Sequence, residues 1–232
     1  MSYRLLSVVL PVHNQADHLA QVVFAYLSAV EAVTAAHEVL LVPNGCLDGS
    51  RDVCAALADA WPAVRVVPSD RAGWGLAVRL GLAAARGDLL CFANSARTSP
   101  GELGLLIRTA WTTPDVVIEA RRTIRDRWTR AIGSRLYALE CRTLFGMSVA
   151  DVNGTPKLFP RRFEKLLQLT RDDDLLDAEF NAVVARERYP IIEIPIVSTT
   201  RHGGTSTMTY RRAWQLYWGA YQMARAMRRT PS

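Results

Sequence analysis

Polar side chains that could bind a ligand stand directly after three short apolar runs of the chain. They occupy the segments Val12-His13-Asn14, Pro43-Asn44-Gly45 and Asn94-Ser95-Ala96. Gly73 and Gly75 precede a further helical pattern. Glycine allows close backbone approach, and the free N–H groups at a helix start favour phosphate. Taken alone, the glycine pair before a helix is read as a plain turn, and a phosphate-bearing ligand is the alternative that wider context must support.

The segments around these residues alternate between strand and helix patterns. Short runs rich in Val and Leu predict buried strands at Leu5–Val12, Val39–Val42, Val64–Val67 and Leu89–Ala93. Ala- and Leu-rich spacing predicts helices over Ala16–Ala35, Ser50–Ala60 and Leu76–Ala85, the second capped by Asp48 or Ser50. Such alternation predicts a parallel sheet whose ligands bind beyond the carboxyl ends of the strands. The three polar segments lie at those ends.

The second half of the chain has a less regular pattern. It predicts strands at Asp115–Glu119 and Ile191–Val197 and helices at Trp128–Phe145 and Leu175–Glu187. Pro195 places the last strand at a sheet edge. Because no Ser-, Gly- or Pro-rich linker separates the halves, we expect one compact α/β domain.

The net charge of +6 is located at one end of the chain. The first 200 of the 232 residues carry 22 basic and 22 acidic side chains, and residues 201–232 carry six arginines and no acid. A neutral body disfavours nucleic acid as a partner. A hydrophobic content of 50% excludes disorder, and no apolar run approaches the length of a membrane span. Four cysteines without C-x-x-C spacing and a start unlike a signal peptide predict a cytoplasmic protein.

Read in order, the loop residues resemble a family 2 glycosyltransferase of the dolichyl-phosphate mannosyltransferase-like type. SVVLPVHNQ (7–15) resembles the family's opening strand and P-x-Y-N-E loop, and LLVPNGCLDGS (40–50) resembles V-D-D-G-S-T-D-G-T. Residues 71–92 are similar to its G-K-G-x-A-x-R-x-G segment, DVNGTPKLFPR (151–161) to D-x-x-x-G-x-K-x-F, and DAEF (177–180) to its D-x-E helix. Five motifs in the family's order make the resemblance specific over about residues 5–207.

The resemblance implies the GT-A fold, a mostly parallel central sheet flanked by helices in a single domain. Residues 1–210 would form this domain, with residues 1–110 as the nucleotide-sugar half, residues 111–210 as the acceptor half, and 211–229 as a C-terminal amphipathic helix. The implied nucleotide-sugar-binding residues are Pro11, His13, Asn14, Gln15, Asn44, Gly73, Gly75, Asn94, Ser95 and Ala96.

The chain departs from the family at its metal motif, D-x-D-x-Q. Asn94, Ala96 and Thr98 stand at the two Asp positions and the Gln position, while Pro100 and Glu102 keep the register. Mg²⁺ and Mn²⁺ are bound through carboxylates, which these residues lack, so no metal cofactor is firmly implied and the D-x-D motif is degenerate.

Two further acids of the family's pocket are also replaced. Gln15 stands where the opening loop has Glu, and Asn44 where the second Asp of D-D-G-S would contact the base. We hypothesise a metal-independent enzyme in which Arg97 offsets the charge developing on the leaving diphosphate. The alternative is that Arg97 is an ordinary solvated loop residue.

The acceptor half contains arginines that the resemblance places on a phosphate. Arg121 stands at the Arg of the family's G-S-R, and Arg201 with Ser206 lies in a segment similar to its R-x-x-G-x-S loop. Arg130, Arg135 and Lys157 are further acceptor candidates, Lys157 alternatively being an ordinary strand-end lysine. The predicted catalytic residues are Asp177, Arg97 and Arg121. A phosphate acceptor needs no general base, whereas a hydroxyl acceptor would use one. Asp177, Asp174 or Asp151 could serve, and the resemblance favours Asp177.

The last predicted helix runs from Tyr210 to Arg229. Leu216, Ala220, Met223 and Met227 share one side, flanked by aromatic residues, as in a helix that lies at a membrane surface. The alternative is a helix that packs on the domain or on a second subunit.

Together these features predict an inverting glycosyltransferase with a nucleotide-diphosphate sugar as donor and polyprenyl phosphate as acceptor. The alternatives are transfer to a small hydroxylated metabolite and a catalytically inactive pseudo-glycosyltransferase that only binds. The predicted partners are a membrane surface, contacted by the C-terminal helix, or a homodimer subunit, and the predicted location is the cytoplasm, peripherally at the inner face of the membrane.

Overall fold

A computed structural model describes residues 3–95, 98–123, 128–197 and 210–227, with the side chains of 128–131 and 210–213 left undescribed. The described strands form one sheet in the order β3-β2-β1-β4-β6-β5-β7. They are β1 Leu6–Val12, β2 His37–Pro43, β3 Val64–Val66, β4 Leu89–Phe92, β5 Val117–Arg122, β6 Lys157–Pro160 and β7 Ile191–Ile196. β6 runs antiparallel to both of its neighbours, and the other pairings are parallel.

Helices cover both faces of this sheet. They are α1 Leu19–Glu31, α2 Ser50–Ala60, α3 Trp74–Ala84, α4 Pro100–Thr112, α5 Trp128–Phe145, α6 Leu176–Arg186 and α7 Tyr210–Met227, with a 3₁₀ turn at Glu164–Leu167. α1 shows why these segments fold as they do. Its buried residues, including Leu19, Val22, Val23 and Tyr26, recur every three or four positions and therefore share one face.

The core has three parts. One lies under α1 and α4, a second lies on the other sheet face under α3 and α6, and a third joins α5, α6 and α7. The predicted mostly parallel sheet flanked by helices is confirmed, and β7 lies at an edge as Pro195 indicates.

Three details differ from the sequence-based prediction. The chain forms β6 and α4 where no element was predicted, and the backbone of Gly49 caps α2 in place of a side chain. Asp48 still contributes at this helix start, because its Oδ1 accepts a hydrogen bond of 3.0 Å from the Ser50 N–H. α4 begins with a capping box in which Ser99 and Glu102 bond each other's backbone N–H groups.

Candidate active site

The loops that follow β1, β2 and β4 form one cluster whose inner part is held together by hydrogen bonds between amide, hydroxyl, imidazole and backbone groups. His13 Nδ1 lies 2.7 Å from the carbonyl oxygen of Asn44, which links the first two loops. The Ser95 hydroxyl donates to Gln15 Oε1 over 2.7 Å and lies 3.3 Å from the carbonyl oxygen of Pro11. The structure therefore brings together predicted donor-binding residues from three strand ends.

Asn14 and Asp48 fix the outer part of this cluster. Asn14 has a φ of 51°, in the left-handed region that Asn tolerates better than most residues, and its Oδ1 accepts from the Leu47 N–H over 2.8 Å. Asp48 Oδ2 accepts from the Ala16 N–H over 3.0 Å. Although partial burial opposes it, hydrogen bonds from Ser50 and Ala16 lower the pKa of Asp48. Asp48 is thus an ionised carboxylate that holds two loops in place.

Asn44 occupies a different place from the one its sequence position suggested. Its side chain is 3% exposed, and its Nδ2 donates to the carbonyl oxygens of Val12 and Val42 over 2.9 and 3.2 Å. Its Oδ1 accepts from the Gly73 N–H over 3.0 Å. These bonds use both amide protons of Asn44. The prediction that Asn44 contacts the nucleotide base is therefore corrected: its side chain links β1, β2 and the start of α3.

Gly73 and Gly75 allow a neighbouring chain segment to approach α3 closely. A Cβ on Gly73 would lie 2.5 Å from the carbonyl oxygen of Asp172, and one on Gly75 would lie 2.4 Å from that of Arg171. The Asp172 carbonyl also accepts from the Leu76 N–H over 3.0 Å. The helix start that the sequence assigned to phosphate is therefore covered by residues 171–173 in this structure, and the glycine pair serves that packing.

Side-chain carboxylates fasten the covering segment at its start and at its middle residue. Glu179 accepts from the N–H groups of Thr170 and Arg171 at 2.9–3.0 Å. Asp172 pairs with Arg79 and, over 2.9 Å, with Arg71. The D-x-E motif thus contributes a loop-holding residue at its second acid.

A cluster of buried charged residues lies next to this loop region, between β5, β6 and α6. Lys157 and Glu119 are both fully buried, and Lys157 Nζ contacts Glu119 Oε1 and donates to the carbonyl oxygen of Val152 over 3.1 Å. Asn181 Nδ2 lies 3.3 Å from the same Glu119 oxygen. Lys157 is therefore withdrawn from the acceptor-binding set, because its ammonium group is enclosed in an ion pair.

Asp177 connects this charged cluster to the start of α3. Its Oδ2 accepts from Trp74 Nε1 over 3.0 Å, and its Oδ1 lies 4.0 Å from Lys157 Nζ. Burial raises the pKa of Asp177 to about 6 in spite of the nearby ammonium group. Three acceptor atoms of the cluster have no hydrogen-bond partner, namely Glu119 Oε2, Asp177 Oδ1 and Asn181 Oδ1. The cluster therefore has unused capacity to accept protons or hydrogen bonds.

The end of β5 contains an ion pair that the sequence did not reveal. Arg122 donates to both carboxylate oxygens of Asp151 over 2.7 and 2.8 Å, and Asp151 is 2% exposed. Arg121, which precedes Arg122 in β5 and is the predicted phosphate ligand, is exposed. Side chains alternate between the two faces of a strand, which was the available signal that only one of the two arginines reaches solvent.

Comparison with known proteins shows which family this chain belongs to. Residues 7–187 match the family model described as glycosyl transferase family 2. The chain belongs to this family. In keeping with the sheet order described above, the family 2 chain has the GT-A fold, and it is a glycosyltransferase.

Among its relatives is undecaprenyl-phosphate 4-deoxy-4-formamido-L-arabinose transferase from Sodalis glossinidius, 25% identical over 230 residues that cover 97% of this chain and 68% of the relative. The protein of the same name from Aeromonas hydrophila is 28% identical over 151 residues, which cover 64% of this chain and 46% of the relative. Among solved structures, glucosyl-3-phosphoglycerate synthase from Mycobacterium tuberculosis, with Mn²⁺, uridine diphosphate and phosphoglyceric acid, superimposes with a TM-score of 0.73 at 18% identity, over 99% of this chain and 80% of that chain.

The residues at this family's metal position do not fit a divalent cation. Asn94 is half-buried, and Thr98 is 2% exposed with its carbonyl oxygen bonded to the Tyr26 hydroxyl over 2.6 Å. Within residues 3–95, 98–123, 128–197 and 210–227, no group of three His, Cys, Asp or Glu side chains is placed to hold a metal. Protein sites for Mg²⁺ usually include one or two carboxylates, and Asn94 and Thr98 supply none.

Several predicted site residues lie outside the described part of the family 2 chain. They are Ala96, Arg97, Arg201 and Ser206, together with the side chain of Arg130. Arg135 is described and is exposed on α5.

The C-terminal helix places its apolar side against the domain. Ala220, Met223 and Ala224 of α7 are buried in the cluster around α5 and α6. The expectation that this side faces a membrane is therefore wrong, and the alternative of packing on the domain applies to it. None of the helices in the described part of the chain combines the length and apolar character that a membrane crossing needs.

Proposed function

We propose that this glycosyltransferase moves a sugar, with inversion, from a nucleotide-diphosphate sugar to a polyprenyl phosphate. The observation that carries the proposal is the match over 230 residues to a relative named as an undecaprenyl-phosphate sugar transferase. In this reaction a phosphate oxygen of the acceptor attacks the anomeric carbon as the bond from that carbon to the diphosphate breaks. Because the acceptor is already anionic, the transfer needs positioning and charge stabilisation more than proton removal.

The donor fits the cluster at the ends of β1, β2 and β4. His13, Asn14, Gln15 and Ser95 offer uncharged hydrogen-bonding groups there, and the Asp48 carboxylate lies at the outer part of the cluster, where it bonds the Ala16 N–H. Metal-independent transfer is part of the proposal, with Arg97 stabilising the leaving diphosphate. The proposal assigns the acceptor phosphate to Arg121 and Arg201, with Arg130, Arg135 and Ser206 as further candidate ligands.

A thermal-shift screen tests the donor half of the proposal. UDP-, GDP-, CDP- and dTDP-sugars are each added with Mn²⁺ or with EDTA, since a ligand that binds the native state raises its melting temperature. We expect one nucleotide class to raise Tm equally in both conditions. A shift that requires Mn²⁺ would contradict metal independence, and no shift from any donor would favour an inactive binding protein.

A second candidate, transfer to a small hydroxylated metabolite, is favoured by Asp177. A carboxylate with a pKa of about 6 is still mostly ionised at neutral pH and is a stronger base than an ordinary aspartate. Transfer assays with undecaprenyl phosphate and with small polyols, on the unaltered protein and on Asp177→Asn, separate the two candidates. Loss of polyol transfer in Asp177→Asn with no transfer to undecaprenyl phosphate would establish the hydroxyl acceptor.

The acceptor class also implies a location. We propose that the protein works peripherally at the cytoplasmic face of a membrane, where a polyprenyl phosphate is embedded, with α7 at the membrane surface or against a second subunit.

A further inference from the structure

The exposed large hydrophobic side chains of this protein are concentrated on two helices. Six of the eleven in the described part of the chain lie on α5 and α7. They are Ile132, Leu136, Leu139, Trp214, Trp218 and Tyr221. Apolar side chains scattered singly over a surface need no explanation, whereas a contiguous patch indicates an interaction site.

On α5 the exposed apolar residues form a stripe opposite the buried face. Ile132, Leu136 and Leu139 are spaced four and three residues apart, so they project from the same side of the helix. Tyr137 and Cys141 occupy the other side and are buried. α5 is therefore apolar on two faces, and the domain core explains only one of them.

The same arrangement recurs on α7. Trp214, Trp218 and Tyr221 have the same spacing and are exposed by 71%, 53% and 41%, whereas Ala220 and Met223 on the other side are buried. The membrane-type aromatic residues are thus on the solvent side of the helix, not on the apolar side that the sequence pattern emphasised.

The two stripes adjoin on one surface. Tyr217 of α7 and Tyr137 of α5 pack edge to face with ring centroids 5.4 Å apart, and the Tyr217 hydroxyl donates to the Gly133 carbonyl oxygen over 2.7 Å. Both helices bury their inner faces in the same cluster. Their outer faces therefore lie side by side on the solvent side of that cluster, one on each flank of the Tyr137–Tyr217 contact.

Basic residues outnumber acidic residues in the sequences of both helices. The α5 sequence contains three arginines and one glutamate, and the α7 sequence contains three arginines and no acid. Arg142 and Arg225 are exposed. Tryptophan, tyrosine and arginine next to an apolar surface are the composition of a protein face that lies in the headgroup region of an anionic bilayer.

We infer that the outer faces of α5 and α7 together form a docking surface for an anionic lipid bilayer. A second copy of the chain is a poorer occupant, because a symmetric contact would bring two sets of six arginines together with one glutamate per copy to balance them. The inference rests on the membrane location in the proposed function but not on sugar transfer, so a failed transfer assay and a failed lipid assay remain distinguishable.

Co-sedimentation with vesicles tests this surface. The full chain is mixed with phosphatidylcholine vesicles and with vesicles of phosphatidylcholine and phosphatidylglycerol. We expect binding to the second kind only. The variants Leu136→Gln/Leu139→Gln and Trp214→Gln/Trp218→Gln should each weaken it at least about tenfold, since two large apolar side chains lose their burial. Arg142→Gln and Arg225→Gln should each weaken it about fivefold, and added salt should weaken it further.

Matched controls alter exposed residues elsewhere. Leu47→Gln and Leu105→Gln remove exposed leucines, and Arg108→Gln removes an exposed arginine of α4. We expect all three to bind as the unaltered protein does, and circular dichroism of every variant should be unchanged. Absence of binding by the unaltered protein, or equal weakening by controls and stripe variants, would overturn the inference. A dimer in light scattering that Leu136→Gln/Leu139→Gln converts to a monomer without affecting vesicle binding would assign the surface to a second copy and overturn it as well.

Discussion

The two parts of the candidate site are held together by different kinds of interaction. At the ends of β1, β2 and β4, neutral side chains such as Asn44 and Ser95 bond mostly to backbone groups and to each other. Between β5, β6 and α6, the charged groups of Glu119, Lys157 and Asp177 are buried, and acceptor atoms are left over. In the first region a lost side chain removes a few hydrogen bonds, whereas in the second it leaves a buried charge without its partner.

The largest expected effect comes from breaking the charged region at Lys157. Lys157→Met removes the ammonium group and leaves Glu119 buried without a cation, which should lower the free energy of unfolding by about 3 to 5 kcal/mol. Urea denaturation at neutral pH measures it. The double variant Lys157→Met/Glu119→Gln removes both charges and should recover most of the loss. A double variant as unstable as the single one would show that packing, not the ion pair, is responsible.

Two buried carboxyls should make stability depend on pH, because burial raises the pKa of Glu119 to about 8 as well as that of Asp177. The variant Asp177→Asn isolates the contribution of Asp177. Because burial raises its folded-state pKa to about 6, its ionisation opposes folding, and stability is lost as pH rises from about 4 through 6. Asp177→Asn cannot ionise, so it should be more stable than the unaltered protein above pH 6, by up to about 3 kcal/mol, and similar to it below pH 4. Thermal unfolding across this range measures the difference.

Asp48→Asn provides the control of opposite sign. Since the folded-state pKa of Asp48 is lowered, its contribution is present above its unfolded pKa and is lost as pH falls, so this variant should be the less stable protein at neutral pH. Parallel pH curves for all three proteins would contradict both assignments.

In the loops after β1, β2 and β4, replacing Asn44 with the aspartate that the family has at this position should destabilise the protein. Asn44→Asp replaces an amide that donates to Val12 and Val42 with a carboxylate that cannot donate, which should cost about 2 kcal/mol of stability at neutral pH. Asn14→Asp is the matched control, because Asn14 mainly accepts a hydrogen bond and a carboxylate does the same. Denaturation midpoints that are equal for the two variants would refute the structural role of the Asn44 amide.

The smallest expected effect is at Ser95. Ser95→Ala removes the hydroxyl that joins the β4 loop to Gln15 and should cost about 1 kcal/mol. Ser28→Ala removes an exposed hydroxyl that bonds only within α1 and should change the denaturation midpoint little. A Ser95→Ala loss as large as that of Lys157→Met would remove the contrast between the two regions.

The sequence predicted the parallel part of the fold because its strands are continuous runs of buried Val and Leu, as in β1 and β2. It did not predict β6, because the only apolar residues between Lys157 and Pro160 are Leu158 and Phe159, a run too short to indicate a strand. α4 was missed although Ser99, Pro100 and Glu102 form a recognisable helix start.

The candidate site, like the fold, could be predicted from the sequence only in its parallel-sheet half. The strand-end loops follow from the order of strands, so the meeting of His13, Gln15 and Ser95 could be foreseen. The burial of Lys157 depends on Glu119, which is distant in sequence and pairs with it only through the antiparallel contact of β5 with β6. The choice of Arg122 over Arg121 as the partner of Asp151 depends likewise on which face of β5 turns inward.

The first turns of α6 have a mechanical consequence. Within five consecutive residues this helix presents Asp177 to Trp74, Glu179 to the segment that covers Gly73 and Gly75, and Asn181 to the Glu119 carboxylate. A helix is stiff along its axis, so a small slide or rotation of α6 must move all three contacts at the same time. The segment 171–173, Asp177 and the Lys157–Glu119 ion pair are therefore coupled through α6. A shift of this helix that repositions one of them also displaces the other two.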